Sequence, residues 1–196
     1  GQVSSLTATQ VSALSTAQVK ALASNQFASL TGTQLGALSD TQLAAVDTVD
    51  LDQLSTKQIQ SLTGSAVSGL TTGQIASLST TLVQALTTAQ IAGLTTSQIQ
   101  QLVDTQLAAL STTQVQAIET GDLQGLSTTQ VSALSSTNLG YLSSGQVKAL
   151  SALQLGAVSL AKLGTAQINN LSVDQVKLLK TSQINDIASN TSLLQA

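Results

Sequence analysis

Almost the whole of this 196-residue chain is one octapeptide repeated, reading Leu, Ser/Thr, Thr, any, Gln, Val/Ile/Leu, any, Ala/Gly/Ser. A period of eight does not match the 3.6-residue helical turn, so apolar positions repeated at that spacing drift off any one helix face, and a single continuous helix is excluded. The chain must bend once per unit and bury its apolar positions by stacking units on one another. Nineteen units run in one frame from Leu6 to Ala157, residues 158–162 break the register, and three more units run from Leu163 to Asp186.

The positions held from unit to unit show what every unit must satisfy. The first is Leu in all of the 22 units except those starting at Val46 and Ile118, and the sixth is always apolar. These two positions form the expected core, represented by Leu86, Ile91, Leu94, Ile99, Leu110 and Val115. The eighth is Ala, Gly or Ser in sixteen units, which suits a close approach of neighbouring backbones. The fifth is Gln in seventeen, and a polar residue held so firmly needs a structural reason.

Two backbones could supply it. In a helical reading, Ser, Thr or Asp at the second position caps a short helix and the Gln three residues later reaches back to the cap's own N–H. Thr87 with Gln90, and Ser111 with Gln114, are the representative capping pairs. The first and sixth positions then have the spacing of a hydrophobic staple. In a β-solenoid reading, Gln-Val-x-Ala-Leu is a strand and the Gln side chains stack into a ladder. Tight β-coils need Gly, Asn or Asp at fixed left-handed positions, whereas the 13 Gly here are scattered over the unit. Ala, Leu and Gln are also good helix formers. The expected fold is therefore all-α: a solenoid, or superhelical spiral, of very short capped helices, one per repeat, with the β-solenoid as the alternative.

This predicts a single elongated domain, with residues 1–157 as the array, 158–162 as a register break, and 163–196 as the last repeats and a degenerate C-terminal cap. Gly1 to Ser5 reads as the tail of a unit in a longer array. No stretch has the length and apolarity of a membrane span, and the amino end lacks a signal-peptide pattern.

Departures from the consensus mark where a grafted site would show. Val46, Asp47, Asp50 and Leu51 deviate in the same way as Ile118, Glu119, Asp122 and Leu123, with an acid at the cap and Asp in place of Gln. The pattern reads as an acidic substitute for the usual cap, favoured by the helix dipole. Asp52 adds a third carboxylate to the first cluster, but Ca²⁺ needs six or more oxygens from a looped backbone, and no metal is expected. Tyr141, replacing a small residue at the eighth position, is a candidate contact anchor.

The chain has no His, Cys or Arg. The usual nucleophile and base pairs and phosphate clamps therefore cannot be assembled, and neither an enzyme nor a cofactor is expected. Six scattered Lys and a net charge of −3 speak against nucleic acid. Units such as Leu-Thr-Thr-Ala-Gln-Ile-Ala-Gly (residues 86–93) and Leu-Ser-Thr-Thr-Gln-Val-Gln-Ala (residues 110–117) resemble the short Leu/Thr/Gln repeat arrays of very long bacterial secreted or cell-surface proteins. That resemblance implies secretion or a surface location, and a spacer, stalk or filament role. The expected function is structural, with further copies of the chain or flanking repeats as partners. The alternative is an adhesin-like module whose repeated face binds a glycan, a partner protein or a surface. The fourth and seventh positions vary freely, which favours structure over recognition.

Overall fold

A computed structural model describes residues 2–193, and side chains within residues 2–189. Among the described residues every regular element is helical: a 3₁₀ turn at Gln2–Ser5 is followed by 22 α-helices with no strand. All but the last are four to six residues long, one per octapeptide, and the last is Thr181–Leu193. The β-solenoid alternative is thus excluded.

Each helix starts at the second position of its unit. Thr87 has φ −71° and ψ 160°, the extended conformation of an N-cap, and accepts a hydrogen bond from Gln90 N. Ser111 does the same for Gln114. The helices end without the usual left-handed residue, since no described residue has positive φ. Instead the first-position Leu turns directly into extended backbone, as at Leu86 (φ −57°, ψ 135°). This explains why Gly has no fixed place in the repeat.

The chain forms two compact units, divided between Leu102 and Val103, and the same packing rule operates inside each. In the first unit, helix Thr56–Ser61 packs on Thr80–Ala85, Gly64–Ser68 on Thr88–Ala92, and Thr72–Ser77 on Thr96–Gln101. Each helix thus meets the one three places further along, which makes a solenoid of successive coils. In the second unit, Asp104–Ala109 meets Thr128–Ala133 and Thr120–Gly125 meets Ser144–Ala149 by the same rule. First- and sixth-position side chains fill the interior, and Leu86, Ile91, Leu94, Ile99, Leu110 and Val115 are all buried.

The small eighth position follows from the coil spacing. A Cβ added at Gly93 would stand 3.0 Å from Gly64 O, a backbone atom of the preceding coil. A large side chain there has no room, and a backbone neighbour cannot swing away.

The register break keeps this geometry. Ser144–Ala149 packs on Thr165–Asn169, and Ala152–Gly156 on Val173–Lys177, two helices along instead of three. Residues 158–162 therefore occupy the place of one helix without forming one. Val158, Leu160 and Leu163 are all buried, so the shortened unit still supplies its share of core.

Candidate functional site

The feature repeated most faithfully is the contact that fifth-position Gln residues from Gln34 onward make between coils. Gln90 Oε1 accepts from Thr87 N at 2.8 Å, closing the capping box within its own unit. Its Nε2 donates to Ile59 O and Leu62 O, both at 2.7 Å, in the preceding coil. One amide thus satisfies an orphan donor at one helix start and orphan acceptors at the end of another. In the second unit Gln146 reaches Val115 O at 3.1 Å and Ile118 O at 2.8 Å, and Gln154 reaches Leu123 O at 2.9 Å and Leu126 O at 2.6 Å. These acceptors lie 31 and 28 residues back. Beyond the register break the intervals shrink to 28 and 25, as for Gln183 on Leu155 O and Val158 O, because the short unit removes three residues of chain but no step of the coil.

The capping role of Gln was expected from its spacing; the bond to the neighbouring coil was not. A signal for it exists in the sequence. Glu closes a capping box as well as Gln does, yet no unit carries Glu at the fifth position.

Units lacking that Gln show what each half of the contact does. Asn138 is one methylene shorter; its Nδ2 still donates to Leu110 O at 2.8 Å. Leu82 offers no acceptor to its cap, and Asp52 Oδ1 of the preceding coil accepts from Ser79 N at 2.8 Å instead. In the shortened unit, Asp186 Oδ2 from the following coil accepts from Ser159 Oγ at 2.8 Å and Leu160 N at 3.0 Å. Asp52→Ala is expected to destabilise the first unit by about 1 kcal/mol through loss of that acceptor, measured by chemical denaturation. An unchanged midpoint would show that solvent serves Ser79 N equally well.

The acidic caps differ from expectation. Neither Asp47 nor Glu119 accepts a backbone N–H with its side chain. Asp50 N and Asp122 N donate instead to Asp47 O at 3.0 Å and Glu119 O at 3.1 Å, one helical turn of 3₁₀ type. Asp47 pairs in solvent with Lys20 at 3.7 Å, and Glu119 is a methylene longer than the side chains that fit an N-cap. The same backbone fallback serves Ala23, Val103 and Gly164, which have no capping group.

Asp50, 8% exposed, stands by register opposite Leu22 O. A carboxylate cannot donate to that carbonyl, so the coil-to-coil bond is lost at this unit. A cleft of about 630 Å³ opens there, lined by Lys20, Leu22, Asp47, Asp50 and Gln74 among others. Among the described residues no three His, Cys, Asp or Glu side chains gather closely enough to hold a metal ion. Asp122 is likewise buried. Tyr141 is 55% exposed, in a shallow cleft with Thr137, Gly140 and Lys162, and its backbone O accepts from Gln116 Nε2 at 2.7 Å. No helix among the described residues is long and apolar enough to cross a membrane.

The coil geometry identifies a repeat protein, and comparison supports it. Residues 43–80 and 115–152 each match the ALTTAQ repeat family. No curated protein matches the chain. The six letters of the ALTTAQ repeat stand in this chain at Ala85–Gln90, the eighth position of one unit followed by the first five of the next. They contain the cap, the Gln and the first-position Leu, the residues that join coil to coil. The second ALTTAQ segment begins 72 residues after the first. Four of the five departures at the fifth position fall in pairs at that interval, Asp50 with Asp122 and Ala66 with Asn138, while Leu82 is matched by the usual Gln154.

Proposed function

We propose that the chain is a structural spacer, a rod or stalk outside the cell whose length is set by the number of coils, and that it carries no catalytic activity. The observation that supports this most is the uniformity of the Gln contact, which spends the most constant polar residue on joining one coil to the next. Its hydroxyl-rich exterior carries few charges. The resemblance to repeat arrays of secreted and surface proteins supports the extracellular placement.

The reading is tested by changing the number of units. Inserting a second copy of residues 86–109, three consecutive octapeptides, adds about one coil. The longest dimension in small-angle X-ray scattering should then grow by about 8–10 Å, the spacing of packed helices, with the cross-section unchanged. An insertion that swells the cross-section, or leaves the length as it was, would refute a spacer whose length is counted in coils.

A further inference from the structure

One coil-to-coil bond inside the N-terminal unit is missing, and the groups left without it are all acceptors. Gln42 Nε2 donates to Leu14 O at 2.6 Å and Gln58 Nε2 to Leu30 O at 2.7 Å. The first-position carbonyl between these two in the chain, Leu22 O, stands opposite Asp50 and receives no donor. We infer that the cleft at Asp50 binds a primary alkylammonium, the head group of a free linear amine or of a lysine side chain on a partner protein, through the Asp50 carboxylate and Leu22 O.

Asp50 is more than nine-tenths buried, and its carboxylate has no hydrogen-bond or ion-pair partner. Every fully buried side-chain oxygen and nitrogen among the described residues has a partner, so the Asp50 oxygens open on the cleft that Asp50 lines. A carboxylate withdrawn this far from water without a partner is costly, and a bound cation removes the cost. The residues lining the cleft run from Lys20 to Gln74, all inside the N-terminal unit.

The cleft's groups select the charge and shape of the ligand. Its charged side chains are Lys20, Asp47 and Asp50. Lys20 pairs with Asp47 at 3.7 Å, which leaves one negative charge, on Asp50, to be balanced by a monocation. At this point of the repeat a single amide nitrogen elsewhere bonds two carbonyls, as Gln74 Nε2 does to Leu43 O at 2.9 Å and Val46 O at 2.7 Å. An ammonium is likewise one nitrogen, with three donors and no acceptor, and can bridge Asp50 and Leu22 O. A guanidinium spreads its donors over a flat fork, and a divalent ion finds no third ligating side chain among the described residues. Beside the acceptors the wall is apolar, formed by Leu22, Val46 and Val49. Val49 is 66% exposed, the one large apolar side chain so exposed among the described residues of this unit. A methylene stem lies along such a wall while its charged head reaches polar groups.

The test is a titration of the intact chain at low ionic strength with n-pentylamine, and with n-pentanol as the uncharged probe of equal length, followed in amide NMR spectra. Pentylamine should bind with a dissociation constant on the order of 1 mM, the scale for a ligand of so few atoms, and shift the amides of Leu22, Val49 and Asp50. Pentanol should not bind. Asp50→Asn and Asp50→Gln should each weaken pentylamine at least about tenfold, the loss of a charge-assisted hydrogen bond. Asn138 is the chain's own example of Asn at this position, so Asp50→Asn should fold, as circular dichroism checks. Asp50→Gln should also raise the thermal midpoint of the free chain by about 2–4 °C, because it restores the capping box and the bond to Leu22 O. Asp40→Asn removes the same charge at an exposed site outside the cleft and should leave binding unchanged.

A blocked tripeptide with lysine at its centre separates the two sources of the ammonium. Tighter binding than pentylamine assigns the cleft to a partner's lysine, and weaker or equal binding assigns it to a free amine; both bear out the inference. It is overturned if the folded chain does not bind pentylamine, if pentanol binds as well, or if Asp50→Gln leaves binding intact. Weakening by Asp40→Asn to the same degree, or a thermal midpoint that Asp50→Gln lowers, overturns it equally. The coil-insertion experiment decides the spacer reading independently of these outcomes.

Discussion

Gln90→Leu is expected to destabilise the N-terminal unit by about 2–5 kcal/mol, because the change leaves Ile59 O and Leu62 O without their donor in a buried place and takes the acceptor from Thr87 N. Gln90 is 1% exposed, so solvent cannot step in. Gln90→Asn should fare better, since Asn138 keeps the bond to the preceding coil at 2.8 Å. The chain also contains a natural remedy for Leu at this position. Leu82 coexists with Asp52, which accepts from Ser79 N, and Asp52 precedes Leu82 by 30 residues. The residue standing in that relation to Gln90 is Gln60. Adding Gln60→Asp to Gln90→Leu should therefore recover about 1 kcal/mol. Denaturation of the single and double variants, followed by circular dichroism, measures the difference. No recovery in the double variant would show that Asp52 owes its place to something other than Ser79.

Ile91→Ala should cost about 2–5 kcal/mol, the range for a large side chain removed from a packed interior. Ile184→Ala, the same change at the same repeat position, should cost less than about 1 kcal/mol in dilute protein, where little cavity is made. Ile91 is 1% exposed and Ile184 47% exposed; the sequence pattern treats them alike. If the two substitutions destabilise the chain equally, Ile184 is covered in solution, contrary to its exposure in the structure. Because a solenoid's units interact mainly with their neighbours, each loss should appear first as partial unfolding around the altered coil.

Local features were readable because they are satisfied within one unit. The cap at Thr87, the box closed by Gln90 and the staple spacing of Leu86 and Ile91 all depend on residues three to five apart, and helix capping has a chemistry visible at that range. Other partnerships were not readable, since they join residues 25 to 31 apart and depend on how many units make one turn. The second half of the Gln contact is of this kind, and so is the use of Asp52 by Ser79. The acidic caps at Asp47 and Glu119 failed as an expectation for a related reason. Spacing identified the cap position, but whether a side chain or the backbone carbonyl takes the N–H was decided by side-chain length and by Lys20, which arrives from the preceding coil.

The octapeptide by itself determined that the chain breaks into short capped helices and which two positions are buried, because a period of eight cannot keep one face of a continuous helix inward. Tertiary structure alone decided that the helix three places along is the packing partner. It also decided that residues 158–162 fill the place of a helix, and which fifth-position side chains lie buried between coils. An octapeptide has enough residues to satisfy the start of its own helix, but the carbonyls at its end and the apolar sixth position can be covered only by the coil that follows.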